Sequence, residues 1–289
     1  MIYAMSDIHG CIEELQKQME QVDLSGDNRI VFLGDYIDYG DSSYQVLQYI
    51  WDLQKQYGDE KVIVLKGNHE QMFLEWIDDY RNPYPDGAED YMTFNDWLRT
   101  DFEHGANTIG TFISSQQIDF LNQISRTCSL ETISREAVQM ILSGHEDLIW
   151  WLKGMPSYYE AENQIFVHAG VDEEAGEYWM RGTSDYILLG KFPATKGKFY
   201  KTIIAGHIGT GTRDLADDRN YHNVYYDGES HYYIDGSVYK GGKLLLLAYD
   251  EENGKYYYVP PRAEDYPDLL SDMTVYIYCL LYYKDNNMP

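Results

Sequence analysis

The sequence predicts an α/β protein: a two-sheet β-sandwich flanked by helices, with a helical insertion. Three observations lead there. Over the first 80 residues short apolar runs alternate with helically spaced ones, the mark of βαβ units and a largely parallel sheet. Strand-like runs return at 165–167 and 202–205 after an acidic, aromatic, mostly helical stretch. Four further runs, at 224–226, 232–235, 244–248 and 256–259, are separated by Gly, Asp and Asn turns and read as an antiparallel meander forming the second sheet.

Taken in order, residues 2–5 read as a strand, and Ile12, Leu15, Met19 and Val22 recur at helical spacing. Residues 30–33 give the next strand, followed by a helix with Val46, Leu47, Ile50 and Trp51 on its apolar face. The third strand is 62–65, and Met72, Phe73, Trp76 and Ile77 line the helix after it. The insertion is expected over about 78–157, opening on the loop Asn82-Pro83-Tyr84-Pro85-Asp86-Gly87. One domain is expected over 1–260, with 261–289 a C-terminal extension of unassigned role whose apolar run 275–283 is read as buried against the domain.

Composition narrows the function classes. Across 289 residues, 22 basic side chains face 48 acidic ones, for a formal net charge of −26. Nucleic-acid backbones and anionic lipid both call for clustered Lys and Arg, so neither nucleic acid nor membrane is an expected partner. The same charge repels phosphorylated substrates at long range, so a phosphate site here must be made locally positive. Cys11, Cys128 and Cys279 are odd in number and lack C-x-x-C spacing, which fits a reducing compartment rather than a disulfide framework. Residues 1–5 carry no basic region or long apolar stretch and the run 275–283 is too short to span a bilayer, so a soluble cytoplasmic protein is the expectation.

Five short motifs carry the chemistry: Ser6-Asp7-Ile8-His9-Gly10, Gly34-Asp35-Tyr36-Ile37-Asp38-Tyr39-Gly40, Gly67-Asn68-His69-Glu70, His168-Ala169-Gly170 and Gly206-His207. Those in the first 80 residues sit just past a strand's C-terminal end, where open α/β sheets place ligands. Carboxylates, imidazoles and an amide oxygen together suit borderline divalent ions such as Mn²⁺, Fe²⁺ or Zn²⁺ better than a pure oxygen cage does. Asp7 and His9, two apart in a tight loop, can face one ion.

In order and spacing these motifs resemble the phosphoprotein phosphatase branch of the calcineurin-like metallophosphoesterases, especially its small bacterial members and the related symmetrical dinucleoside-tetraphosphate hydrolases. The resemblance covers about residues 1–249. It implies two divalent metal ions, Mn²⁺ foremost, the first held by Asp7, His9 and Asp35. Asp35 would bridge to the second, completed by Asn68, His168 and His207. It implies in-line attack by a metal-bridging hydroxide, with His69 as general acid and Asp38 orienting it. Asp38 leans toward a Ser/Thr protein phosphatase-like enzyme acting on a phosphorylated protein or small phosphoester. A dinucleoside-polyphosphate hydrolase is the alternative within the same chemistry, and a catalytically weak metal-binding interaction protein the alternative outside it.

The family usually places an arginine where this chain has Tyr39, and a phenol cannot form the charged bidentate clamp of a guanidinium. Arg181, in Trp179-Met180-Arg181, matches the W-x-R element of the small bacterial relatives and is the candidate for the remaining phosphate arginine, with Arg213 a weaker one. Glu70 is expected to be structural, favoured near a helix N-terminus. His145 reads as a helix-surface residue, His222 and His231 as solvent-exposed, and His104 as a candidate for the mouth of the site.

Overall fold

The computed structural model describes residues 1–81, 97 and 102–260, apart from the side chains of 102–104 and 106. The loop expected at 82–87, the extension at 261–289 with Cys279, and the side chain of His104 therefore lie outside the described residues.

The N-terminal βαβ units form as expected. Strands β1 (Ile2–Met5), β2 (Arg29–Phe32) and β3 (Val62–Val64) pair in parallel, linked by helices α1 (Ile12–Met19) and α2 (Ser43–Tyr57), and α3 (Asn68–Arg81) follows β3. Helices α4 (Phe102–Phe112), α5 (Ser115–Ile124) and α6 (Leu130–Lys153) come next. Strands β4 (Tyr158–Glu160) and β5 (Gln164–Val167) open the second sheet, then short helices α7 (Trp179–Gly182) and α8 (Asp185–Gly190) lead to β6 (Thr202–Gly209). The chain closes with β7 (Tyr225–Tyr226), β8 (His231–Asp235), β9 (Leu246–Asp250) and β10 (Lys255–Val259). Among the described residues no helix is long and apolar enough to cross a membrane.

The expected meander is not what forms. The two hairpins at the end of the chain divide between the sheets, whose orders are β10-β9-β1-β2-β3 and β4-β5-β6-β8-β7. Strand β9 runs antiparallel to β1, whereas β8 runs parallel to β6. Turn residues between successive strands suggest that neighbours in sequence pair; here β1 and β6 recruit β9 and β8 across long separations because both offer buried apolar edges.

Alternation along the strands builds three apolar layers. Ile2, Ala4, Val31 and Leu33 of the first sheet meet Phe166, Ile204 and Ile234 of the second in the inter-sheet core. The opposite faces carry Tyr3, Met5, Ile30 and Phe32, packed against the helices that include α2, α3 and α6, and Ile165, Val167, Ile203 and Ala205, packed with Trp179, Leu188 and Leu189. Both sheets thus present their parallel strand ends along one edge, and the functional loops issue from it.

Three histidines depart from their expected exposure. His145 has non-helical torsions within α6, and its Nε2 lies 2.8 Å from the carbonyl oxygen of Phe112, so it bridges a kink to the end of α4. His222 is half-buried with Nδ1 3.1 Å from the Gly236 carbonyl. His231 is buried between carboxylates: Nδ1 is 2.8 Å from Asp227 and Nε2 3.2 Å from Glu173, which also takes a bond from Lys191. Burial works against the charge on His231, but Glu173 and Asp227 raise its pKa above the ordinary value. Burial works against the charge on Glu173 as well, while His231 and Lys191 hold its pKa low.

The raised His231 contributes stability that is complete below its unfolded pKa of about 6.5 and is lost as pH climbs through the higher folded value. The lowered Glu173 contributes above its own unfolded value and fades only in acid. His231→Gln should therefore lower Tm more at about pH 6 than at about pH 10. A penalty equal at both pH values would show that the imidazolium charge is not what the network uses.

Candidate active site

The loops after β1 and β2 are stitched together by backbone hydrogen bonds. Asp7 donates its amide to Gly34 at 3.1 Å, His9 to Asp35 at 3.0 Å, and Gly10 to Tyr36 at 2.8 Å. Asp7, His9, Asp35, Asp38, Tyr39 and His207 all have positive φ, between 46° and 70°. Non-glycine residues adopt that region sparingly, and its concentration here marks a backbone bent to aim side chains. His207 owes its placement to a bulge: Ala205 pairs with Tyr233 and Gly209 with Asp235, so β6 inserts extra residues between pairings and turns the imidazole toward the edge.

Asp35 stands at the meeting point. Its Oδ2 is 3.6 Å from His9 Nε2 and 3.9 Å from His69 Nε2, while Oδ1 is 3.4 Å from His168 Nε2. Two groups of donor atoms result, His9 with Asp35 and His69, and Asp35 with His168 and His207, and the atoms of each lie within 4.8 Å of one another. The Asn68 amide oxygen adds to the second group, 2.8 Å from His168 Nε2 and 3.1 Å from His207 Nδ1. Asp7 stands beside these groups, its carboxylate accepting the His207 amide at 3.0 and 3.1 Å. The glycines of the motifs leave room for the carboxylates: a Cβ on Gly67 would run into Asp35 Oδ1, and one on Gly206 into Asp7 Oδ2.

These donors fit a pair of divalent cations. His9 Nδ1 lies 2.8 Å from the Ile37 carbonyl and His168 Nδ1 2.9 Å from the Leu33 carbonyl. Each Nδ1 thus donates to a carbonyl and Nε2 is the atom aimed at the site, the usual outer support of a metal-binding imidazole. Burial opposes charge on His168, but Asp35 and Asp7 carry its pKa up to about 9, so its Nε2 proton reaches Asn68 Oδ1, and a shared cation would take that proton's place. Charge tells the same story. Burial, with Asp235 and Asp35 nearby, pushes Asp7 well above the usual carboxylate range, and burial lifts Asp235 to about 6. Burial also opposes charge on Asp35, yet His168 and His69 keep its carboxyl well below that range. Burial drives His9 and His207 down to about 4, which keeps both rings neutral and ready to bind.

His69 occupies the first turn of α3, with Nδ1 2.7 Å from Asp38 Oδ2. Asp38 is fully buried and fixed by Trp97 Nε1 at 2.8 Å and Thr108 Oγ1 at 2.6 Å, so α4 helps to set its position. Burial opposes protonation of His69, but Asp35 and Asp38 carry its pKa up to about 9. Tyr39 is half-buried at the site, its ring 4.8 Å from that of His9 and 5.3 Å from that of His69. Arg181 is exposed on α7 and makes no hydrogen bond or ion pair among the described residues; Arg213 is also exposed.

The structure gives Glu70 a fuller role than expected and adds two further residues, Asp235 and Tyr239. Glu70 is more than a favourable charge at a helix start: buried, it accepts the amides of Asp35 at 2.9 Å, Tyr36 at 2.8 Å and Gly67 at 2.9 Å, holding two motif loops together. Asp235 ends β8 beside Asp7, and Tyr239 packs its ring 4.8 Å from His9. The sequence signal for the latter pair was the turn-rich segment Asp235-Gly236-Ser237 through Gly241-Gly242, which marks a bend but not its direction.

Residues 1–211 match the family model for calcineurin-like phosphoesterases, and the chain belongs to that family. Members of that family are phosphoesterases. Curated relatives include a symmetrical bis(5'-nucleosyl)-tetraphosphatase of Glaesserella parasuis, 29% identical over 34% of this chain and 37% of that protein. Another so named, from Vibrio campbellii, is 38% identical over 24% of each chain. A putative serine/threonine-protein phosphatase of Caenorhabditis elegans is 30% identical over 24% of this chain and 19% of its own. The matched stretches thus span well under half the length of these relatives. Among solved structures, a cold-active protein-tyrosine phosphatase of a Shewanella species shares the fold, with TM-score 0.50 and 15% identity over 90% of this chain and 80% of that one.

Because both Glu70 oxygens accept backbone amides, Glu70→Gln must turn an NH₂ toward at least one N–H. Mn²⁺ affinity should fall about 10–100-fold, read by calorimetric titration, with the fold retained. Unchanged affinity would show that the loops hold Asp35 in place without it.

Proposed function

We propose that this chain hydrolyses phosphomonoesters on two divalent cations, in the manner of a Ser/Thr protein phosphatase, with Mn²⁺ the expected ion. The observation that carries the reading is Asp35, whose two carboxylate oxygens face two separate groups of donors. In this reading Asp7, His9 and Asp35 hold one ion, and Asp35, Asn68, His168 and His207 the other. When bound, such a pair lowers the pKa of a shared water and offsets the charge on the phosphoryl oxygens.

The chain's own residues do the rest. Asp38 accepts the His69 Nδ1 proton, which leaves the second ring proton, on Nε2, facing the site. That proton goes to the oxygen of the departing alcohol as its bond to phosphorus breaks. Trp97 and Thr108 fix Asp38, so the imidazole's direction is set before substrate arrives. Arg181 remains a candidate, on its sequence context alone, for the outer phosphate oxygens. A second reading, hydrolysis of a dinucleoside polyphosphate, has its support in the relatives bearing the tetraphosphatase name.

His69→Asn should lower kcat by about 10²–10⁴-fold while both ions stay bound, with an alkyl phosphate hit harder than p-nitrophenyl phosphate, whose leaving group needs little protonation. Equal losses on the two substrates would remove His69 from the general-acid role.

A further inference from the structure

The wall beside His9 is aromatic. The rings of Tyr39 and Tyr239 stack at 4.1 Å and 17°, and His9 meets each edge-on at 4.8 Å. On the His207 side of Tyr239 lies a cavity of about 240 Å³. Phe192, Ile208 and Tyr239 give it apolar surface, and its charged side chains are Lys240 and Asp235, one of each sign. Phe192 is 73% exposed, so the cavity opens to solvent past a ring already bare. A cavity of about 150 Å³ holds a benzene molecule, so this one accommodates a six-membered ring with a substituent.

A phosphomonoester is largely a dianion at neutral pH, its second pKa being about 6, whereas a diester carries one charge. Stacked phenols add no positive charge for the extra anionic oxygen, and Lys240 is offset by Asp235. The same phenols and the cavity do offer contact to a second ester group. Resting on the function proposed above, we infer that Tyr39, Tyr239 and the cavity beside them form a subsite for a planar substituent on phosphorus, so that the site also hydrolyses phosphodiesters that carry one. His207 lines the cavity and His69 does not, which assigns the directions: the planar group in the cavity is retained, and the leaving alcohol departs on the His69 side. The oxygen of water forms the new bond to phosphorus while the bond to the leaving oxygen breaks with its electron pair. That oxygen takes a proton from His69, which water's proton replaces, so the products are one alcohol and one phosphomonoester still bearing the planar group.

The Mn²⁺-loaded full chain decides the matter with three substrates: p-nitrophenyl phosphate, bis(p-nitrophenyl) phosphate and methyl p-nitrophenyl phosphate. The two diesters share a leaving group and differ in what is retained, so kcat/KM should be at least about tenfold higher for the bis-aryl diester. Thr212→Trp, which fills the cavity from its exposed rim, should lower the ratio of bis-aryl diester to monoester kcat/KM by about tenfold. Equal rates on the two diesters, or monoester turnover without diester turnover, overturn the subsite and leave the proposed phosphomonoesterase standing. No turnover of any of the three with both ions bound overturns both.

Discussion

The Asp35 carboxylate is the point on which the rest of the site depends. Its oxygens face opposite ways, toward His9 and His69 on one side and His168 on the other. Its own amide is held by Glu70, and its Oδ1 accepts the amide of His69 at 3.2 Å, so the loop after β2 and the start of α3 lock around one side chain. The glycines at 34 and 67 let those segments approach more closely than any side chain would permit. Both sheets serve this geometry, because Asp35 comes from the first, His168 and His207 from the second, and the inter-sheet core keeps the two edges in step.

Burying Asp7, Asp35 and Asp235 together in a chain of net charge −26 is costly unless cations share the site. That cost accounts for several features at once. The His9 and His168 imidazoles are oriented by backbone carbonyls rather than by more carboxylates, and burial raises the pKa values of Asp7 and Asp235. Under the proposed function the acidic surface and a phosphate site are compatible, because bound ions would supply the attraction for phosphate that lysine or arginine clusters supply elsewhere.

Much of this was legible in the sequence because the relevant signals are local. The βαβ pattern of the first 80 residues and the motifs at strand ends need only short-range periodicity and turn chemistry, and β1, β2 and β3 form the parallel sheet they imply. Pairing across long separations is another matter. The choice of β8 to run beside β6, and of β9 to join β1, is decided by which buried edges remain, and the turns between these strands look alike either way. The same holds for side chains defined by tertiary neighbours. Glu70 finds most of its amides in the loop after β2, His231 its carboxylates in Asp227 and the distant Glu173, and Tyr239 its partner 200 positions earlier in Tyr39. None of these contacts leaves a periodic trace.

Diffraction from crystals of the Mn²⁺-soaked protein, collected at the manganese absorption edge, tests the account most directly. Two anomalous peaks about 3.5–4 Å apart, one on each side of the Asp35 carboxylate with one oxygen toward each, are the expected result. A single peak there, or two peaks of which only one touches Asp35, would contradict the shared-ligand site from which the function has been argued.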